Sequence, residues 1–157
     1  MKSNRAMKRL LLSGGELALS DYAATEKRID KLFRDLVFEN DCLYLKTHNG
    51  AASAGNVTDR TGFEADRNEI LINSLFPKKK LMPAFAMQFF TQWNVRLAAE
   101  FKGKFCAVMS EDDGRWTYRF HIVREGEPFW ISDNSEDLEK FAQPILYDIF
   151  EGENDGV

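Results

Sequence analysis

Between Met82 and Phe101 the chain is apolar on too many sides to lie on a surface. Wound at about 100° per residue, Met82, Ala86, Phe89, Phe90, Trp93, Leu97 and Phe101 form one broad stripe, while Phe85, Met87, Val95 and Ala98 fall outside it. Such a helix must be nearly enclosed, so the rest of the chain has to supply layers around it. Pro83 suits the first turn, where its missing N–H has no partner to lose, and Gly103 suits an exit into left-handed backbone.

After this helix the period changes from 3.6 to 2. Phe105, Ala107 and Met109 alternate with Cys106 and Val108, all apolar, as in a strand covered on both faces. Glu111-Asp112-Asp113-Gly114 supplies a hairpin turn. Trp116, Tyr118, Phe120 and Ile122 then alternate with Arg115, Thr117, Arg119 and His121. A turn at Glu125-Gly126-Glu127-Pro128 leads to Phe129-Trp130-Ile131, completing a predicted three-strand antiparallel meander. Asp133, Asn134 and Ser135 are good helix caps, and Leu138, Phe141, Ala142, Ile145, Leu146, Ile149 and Phe150 predict a closing amphipathic helix, kinked at Pro144.

Ahead of the central helix, residues 1–19 read as a basic, weakly ordered segment. A helix is predicted from Ser20, its buried face carrying Tyr22, Ile29, Leu32, Phe33, Leu36 and Val37. Leu43-Tyr44-Leu45 reads as a short strand, His48-Asn49-Gly50 as its turn, and residues 49–62 as loop. Thr61 and Glu64 have capping-box spacing, which predicts a helix start. Glu69 to Asn73 fits helix or strand, Pro77 ends it, and Lys78-Lys79-Lys80 is a solvated connection. The expected fold is a single α+β domain over residues 20–150. In it an antiparallel sheet with a C-terminal meander packs on a long central helix, flanked by N- and C-terminal helices, and residues 151–157 form an acidic tail.

Charge is unevenly spread. Residues 1–103 carry 16 Lys and Arg against 12 Asp and Glu, whereas residues 104–157 carry 5 against 13, so a net +4 precedes a net −8. A field of that sign repels nucleic acid and attracts basic partners. Cys42 and Cys106 sit among apolar neighbours outside any C-x-x-C spacing, which predicts buried free thiols in a reducing compartment. Leu10-Leu11-Leu12 is too short for a secretory core, and no apolar run is long enough to span a bilayer. With only His48 and His121 and no calcium-loop spacing, no metal site and no cofactor are expected. No phosphate-binding glycine motif occurs.

Two surfaces remain as candidates. One is the polar face Arg115, Thr117, Arg119 and His121, where a histidine beside arginines suits an anionic ligand and proton transfer. The other gathers Glu111, Asp112, Asp113, Asp133, Glu136 and Asp137 with Trp116 and Trp130, since carboxylates around an aromatic anchor suit docking of a basic protein. In this meander Glu125 and Glu127 occupy the opposite end.

The stretch from Glu127 to Phe141, Glu-Pro-Phe-Trp-Ile-Ser-Asp-Asn-Ser-Glu-Asp-Leu-Glu-Lys-Phe, resembles the C-terminal end of small bacterial toxin-immunity proteins. That resemblance implies a cytoplasmic, non-catalytic protein that binds and blocks a cognate toxin, often a basic nuclease. The expected partner is then a basic toxin domain, with no nucleic acid or membrane contact, and the protein itself is a monomer or weak dimer. The alternatives are a small enzyme or ligand sensor at His121 and Arg119, and a structural subunit of a larger assembly.

Overall fold

The structure, a computed structural model, describes residues 1–50, 53–55 and 57–153. The elements run β1 (Lys2–Ser3), α1 (Arg5–Leu12), α2 (Leu19–Phe33), β2 (Leu36–Glu39), β3 (Cys42–Leu45), α3 (Arg60–Arg67), β4 (Ile70–Leu71), α4 (Ile72–Leu75), α5 (Pro83–Glu100), β5 (Gly103–Asp112), β6 (Arg115–Ile122), α6 (Ser135–Leu138) and β7 (Ile145–Gly152). Among the described residues five strands form one antiparallel sheet, ordered β1-β7-β5-β6-β4, and β2 pairs with β3 in a separate hairpin. This is a single-domain α+β fold.

The central helix forms where its sequence requires. Pro83 takes the first helical position and Gly103 has φ +133° at the start of β5. Phe85, Ala86, Phe89, Phe90, Trp93 and Leu97 bury against Phe105, Ala107, Met109, Trp116, Tyr118 and Phe120 on one face of the sheet. Each of the larger side chains contributes roughly 1.5–3 kcal/mol of burial, and the aromatic rings interlock, with Trp93 and Tyr118 centroids 5.9 Å apart. The helix is not closed all round, because Val95 is 64% exposed.

Several expected elements change identity. Phe129-Trp130-Ile131 forms no strand, and the closing helix shrinks to the four residues of α6. The strand beside β5 is β7, built from residues that also satisfy a helical rhythm. Leu146 joins the main core, while Ile145 and Tyr147 bury on the opposite face. A strand apolar on both faces is easily taken for a helix, and Pro144, immediately ahead of it, breaks the helical alternative. Gly152 fits because a Cβ there would strike the Phe101 carbonyl.

The basic N-terminal segment carries β1 and α1 within its first 12 residues. Asn4, 1% exposed, caps α1 through Met7 N–H at 3.0 Å and accepts Ile145 N–H at 3.0 Å. The predicted N-terminal helix stops at Phe33, so Leu36 and Val37 pass into β2, and Tyr22 lies 45% exposed. Positive φ at Asn40 and Asp41, 50° and 61°, makes the two-residue turn from β2 to β3. Of the 69–73 stretch, Ile70 and Leu71 form β4 and Ile72 and Asn73 open α4. The expected 49–62 loop and acidic tail fall partly on residues 51, 52, 56 and 154–157, outside the described residues.

Helix α3 does more than its length suggests. Asp59, not Thr61, is its cap, accepting Gly62 N–H at 2.8 Å. That leaves Glu64, fully buried, to bridge two sheets: its carboxylate accepts Leu43 N–H of β3 at 2.7 Å and Ile122 N–H of β6 at 2.9 Å. Arg124 closes the arrangement as a two-pronged partner at 2.9 and 3.0 Å. One turn on, Asn68 accepts Leu45 N–H at 2.9 Å and donates to the Leu43 and Phe120 carbonyls at 2.9 and 3.1 Å. Burial pushes the Glu64 pKa up, and Arg124 and the two amides pull it back.

Removing one member of such a buried pair strands the other. Glu64→Ala is expected to lower stability by about 3–5 kcal/mol in urea unfolding, and Glu64→Gln by less, because one acceptor oxygen survives. A loss below about 1 kcal/mol for the alanine variant would show that this carboxylate does not tie the hairpin to the sheet.

Candidate functional site

The antiparallel register sets rows of side chains on the second face of the sheet, away from α5. Ile149, Cys106 and His121 make one row, Tyr147, Val108 and Arg119 the next, and Ile145, Ser110 and Thr117 the third. In place of another strand, residues 128–143 cross this face as a roof. Leu138 buries against Cys106, Val108, Ile145 and Tyr147, joined by Phe129 and Ile131. Asn4 fastens the roof by donating to the Leu138 and Gln143 carbonyls at 3.2 and 2.8 Å, and Lys2 donates to the Asp133 carbonyl at 2.7 Å.

Between roof and sheet lies a cleft of about 300 Å3. Ser110, Asp112, Thr117 and Arg119 form its sheet side, and Trp130, Ile131, Phe141 and Gln143 its roof side. The Arg119 guanidinium stands 4.8 Å from the Trp130 ring centroid, donates to the Ala65 carbonyl at 3.0 Å and pairs with Glu69. A cation held on an aromatic face by a carboxylate is a fixed wall, which keeps Trp130 in place while 40% of it stays exposed. Phe141 is also 40% exposed.

The two candidate surfaces drawn from the sequence therefore meet in part. Thr117 and Arg119 from the polar face, and Asp112 and Trp130 from the acidic set, line the same cleft. Trp116 does not join them: it is 2% exposed in the main core, on the opposite side of β6. Arg115 is exposed at the hairpin end, paired across the ladder with Asp112. The acidic residues fall into two groups. Glu111, Asp112 and Asp113 surround the β5–β6 turn, where Glu111 accepts Gly114 N–H, and Asp112 and Asp113 have no ion pair among the described residues. Asp133, Glu136 and Asp137 lie on the roof, with Asp137 bonded to Lys140 at 2.7 Å. Glu127 is withdrawn into the Arg60 and Arg124 network.

His121 is 2% exposed beneath the roof, not displayed on a surface. Its Nδ1 lies 2.9 Å from the Ile122 carbonyl and its Nε2 accepts Trp130 N–H at 3.4 Å, which fixes the neutral tautomer protonated on Nδ1. The thiols are equally shut in: burial pushes Cys106 up to about 12 and Cys42 to about 11, too high for a nucleophile. Among the described residues no group of three or more His, Cys, Asp or Glu is placed to hold a metal. Phe141, Glu69 and Gln143 were not marked by the sequence patterns as site residues. The spacing of Phe141 fits an apolar helix face, and nothing local distinguishes the other two.

What these features define is an α+β protein whose C-terminal segment doubles back over the outer face of its own sheet and leaves an aromatic-walled cleft there. The chain belongs to the Uncharacterized protein PM0498 family, whose model it matches over residues 2–155. Neither a curated protein nor a solved structure matches it. Among the described residues no helix is long and apolar enough to cross a membrane.

The buried histidine makes roof stability depend on pH. Burial is the largest influence and lowers the His121 pKa below its ordinary value near 6.5; the Ile122 carbonyl and Glu127 oppose it and Arg124 reinforces it. The unfolded chain therefore takes up the proton first, so stability is full above about pH 6.5 and falls as pH drops toward the folded-state value. Urea midpoints between pH 7.5 and 5.5 should decline in the wild type and decline less in His121→Phe. Identical slopes would show that this ring is not the group responsible.

Proposed function

We propose that the protein is a cytoplasmic, non-catalytic inhibitor of the immunity type, which neutralises a basic toxin domain by docking it on the roofed face. The observation that carries this is the placing of two half-exposed aromatic side chains, Trp130 and Phe141, in one cleft with Asp112 at its edge. An aromatic anchor in a partly desolvated pocket supplies short-range binding energy, and carboxylates free of internal partners accelerate encounter with a positive surface. Among the described residues Asp112 and Asp113 have no ion pair at the hairpin turn. The resemblance of residues 127–141 to toxin-immunity proteins supports the same reading, as does the net −8 of residues 104–157.

Catalysis or ligand sensing at Arg115, Thr117, Arg119 and His121 has less support. The proton carrier it needs is enclosed with both ring nitrogens engaged, and Arg119 is committed to Glu69 and Ala65.

The test is capture from extracts of the native host on immobilised wild-type protein, repeated with two variants and read by mass spectrometry and binding kinetics. A basic protein should be retained, with affinity about 30-fold lower for Trp130→Ala, the effect of losing about 2 kcal/mol at a hot spot. Asp112→Lys combined with Asp113→Lys should slow association and flatten its salt dependence. Retention indifferent to both variants would sink the proposal.

A further inference from the structure

Helix α2 packs on α5, on the side of the molecule away from the roof, with Phe33 and Trp93 centroids 4.7 Å apart. Between α2 and the turn at residues 75–79 runs a solvent-open groove, walled by Ala24, Lys27 and Arg28 on the helix and by the turn opposite. Half of the residues that line it are cations and none is a carboxylate. Lys79 is already committed: it pairs with Asp21, itself 7% exposed, and stands 5.1 Å from the Phe85 ring centroid. Lys27, Arg28 and Lys78 have no ion pair among the described residues. The helix cannot supply one. Ala23 and Ala24 stand one turn before Lys27 and Arg28, Lys31 one turn after, and Asp30, the one carboxylate at a suitable spacing, is bonded to Arg96 at 2.7 Å. Like charges one turn apart repel, so this face of α2 carries an electrostatic cost that a bound anion relieves.

We infer that this groove docks an acidic protein segment that carries one large apolar side chain among its carboxylates. Charge complementarity sets the sign: three cations without internal partners face the groove, on the part of the chain, residues 1–103, whose net charge is +4. The apolar requirement comes from the walls between those cations. Ala24 and Leu75 are partly buried against the main core, and Phe76 is 7% exposed, so apolar surface is present but recessed. The Lys79 N–H donates to the Phe76 carbonyl at 3.0 Å, which closes the turn and holds Pro77 and Lys78 at the rim in advance of binding. A recessed apolar wall receives a side chain; it does not insert one. An anionic bilayer calls for a protruding apolar residue, and none of the large exposed hydrophobic side chains lies in this groove. A single nucleic-acid strand calls for an open aromatic face, and Phe76 spends its ring on Phe85, the centroids 4.7 Å apart. A polypeptide brings both the carboxylates and the apolar side chain.

This inference is independent of the proposed inhibitor role, which concerns the roofed face. The probe is a synthetic peptide of about nine residues, aspartate and glutamate throughout except for one central leucine. It is titrated into the full chain at about 0.15 M salt and followed by calorimetry and amide NMR shifts, beside the same peptide with serine for leucine, an oligothymidylate of equal charge and phosphatidylserine vesicles. The leucine peptide should bind about tenfold more tightly than the serine peptide and more tightly than the oligonucleotide or the vesicles, with shifts centred on residues 24–28 and 75–79. Lys27→Glu combined with Arg28→Glu should weaken it at least about 30-fold. That variant gives Lys31 an acidic neighbour one turn back, so its melting temperature should not fall, and lost binding is thereby separated from lost folding. Lys78→Glu, in the exposed turn, should weaken binding without touching the helix. Equal affinity of the leucine and serine peptides would overturn the inference, as would tighter binding of the oligonucleotide or the vesicles. So would affinity unchanged in the charge-reversed variants, or no binding of the leucine peptide even at about 0.05 M salt.

Discussion

A single carboxylate holds two sheets in register. Glu64 stands where β6 has run past the end of β4 and where the inner edge of β3 faces no strand, so Leu43 and Ile122 each present an N–H to the interior. Buried backbone donors must be paired. Glu64 pairs both, and Asn68, one helical turn along, pairs the neighbouring Leu45 N–H and the Leu43 and Phe120 carbonyls. Side chains of one short helix thus replace a missing strand. Arg124 supplies the countercharge, so the ionised carboxylate is held by four hydrogen bonds in a place where, alone, it would be neutralised.

This explains which parts of the fold were legible in the sequence. The central helix, β5 and β6 were, because each is long enough for its period to show and each is bounded by a turn residue with a clear backbone role, Pro83, Gly103 or Gly114. The α3 bridge was not. Glu64 three residues after Thr61 has the spacing of a cap, and local pattern does not show that Asp59 takes the cap and frees Glu64 for the interior. β7 failed for another reason: Ile145 to Phe150 satisfies a helix stripe and a two-faced strand alike, and only pairing with β5, some forty residues away, decides between them. The docking of β1 and α1 was hidden in the same way, since Asn4 acquires its partners from Leu138, Gln143 and Ile145.

The candidate site was legible in half. Alternation along β6 placed Thr117 and Arg119 on one face correctly, because period 2 is a local property. Nearness to the acidic turn suggests Trp116 for the partner surface, although the same alternation puts it with Tyr118 and Phe120 in the core. The roof could not be foreseen, because the meander sets residues 129–131 beside β6, a place that β4 takes, while β7 fills the open side of β5.

That exchange also sets where the molecule is stiff. The main core joins α5 to one sheet face through a continuous set of aromatic and aliphatic contacts, whereas the roof rests on a small cluster around Leu138 and on the hydrogen bonds of Asn4, Lys2 and Trp130. Segments with few buried apolar contacts open at lower free energy than the core they cover. The cleft therefore has one rigid wall, the sheet, and one wall that yields first. Trp130 is the exception within the yielding wall, because the Arg119–Glu69 pair beneath it belongs to β6 and to the short link between α3 and β4. An aromatic ring pinned to the rigid wall, beside a segment able to adjust, combines a preorganised anchor with a compliant rim, and the cost of ordering the surface on contact then falls on the rim alone.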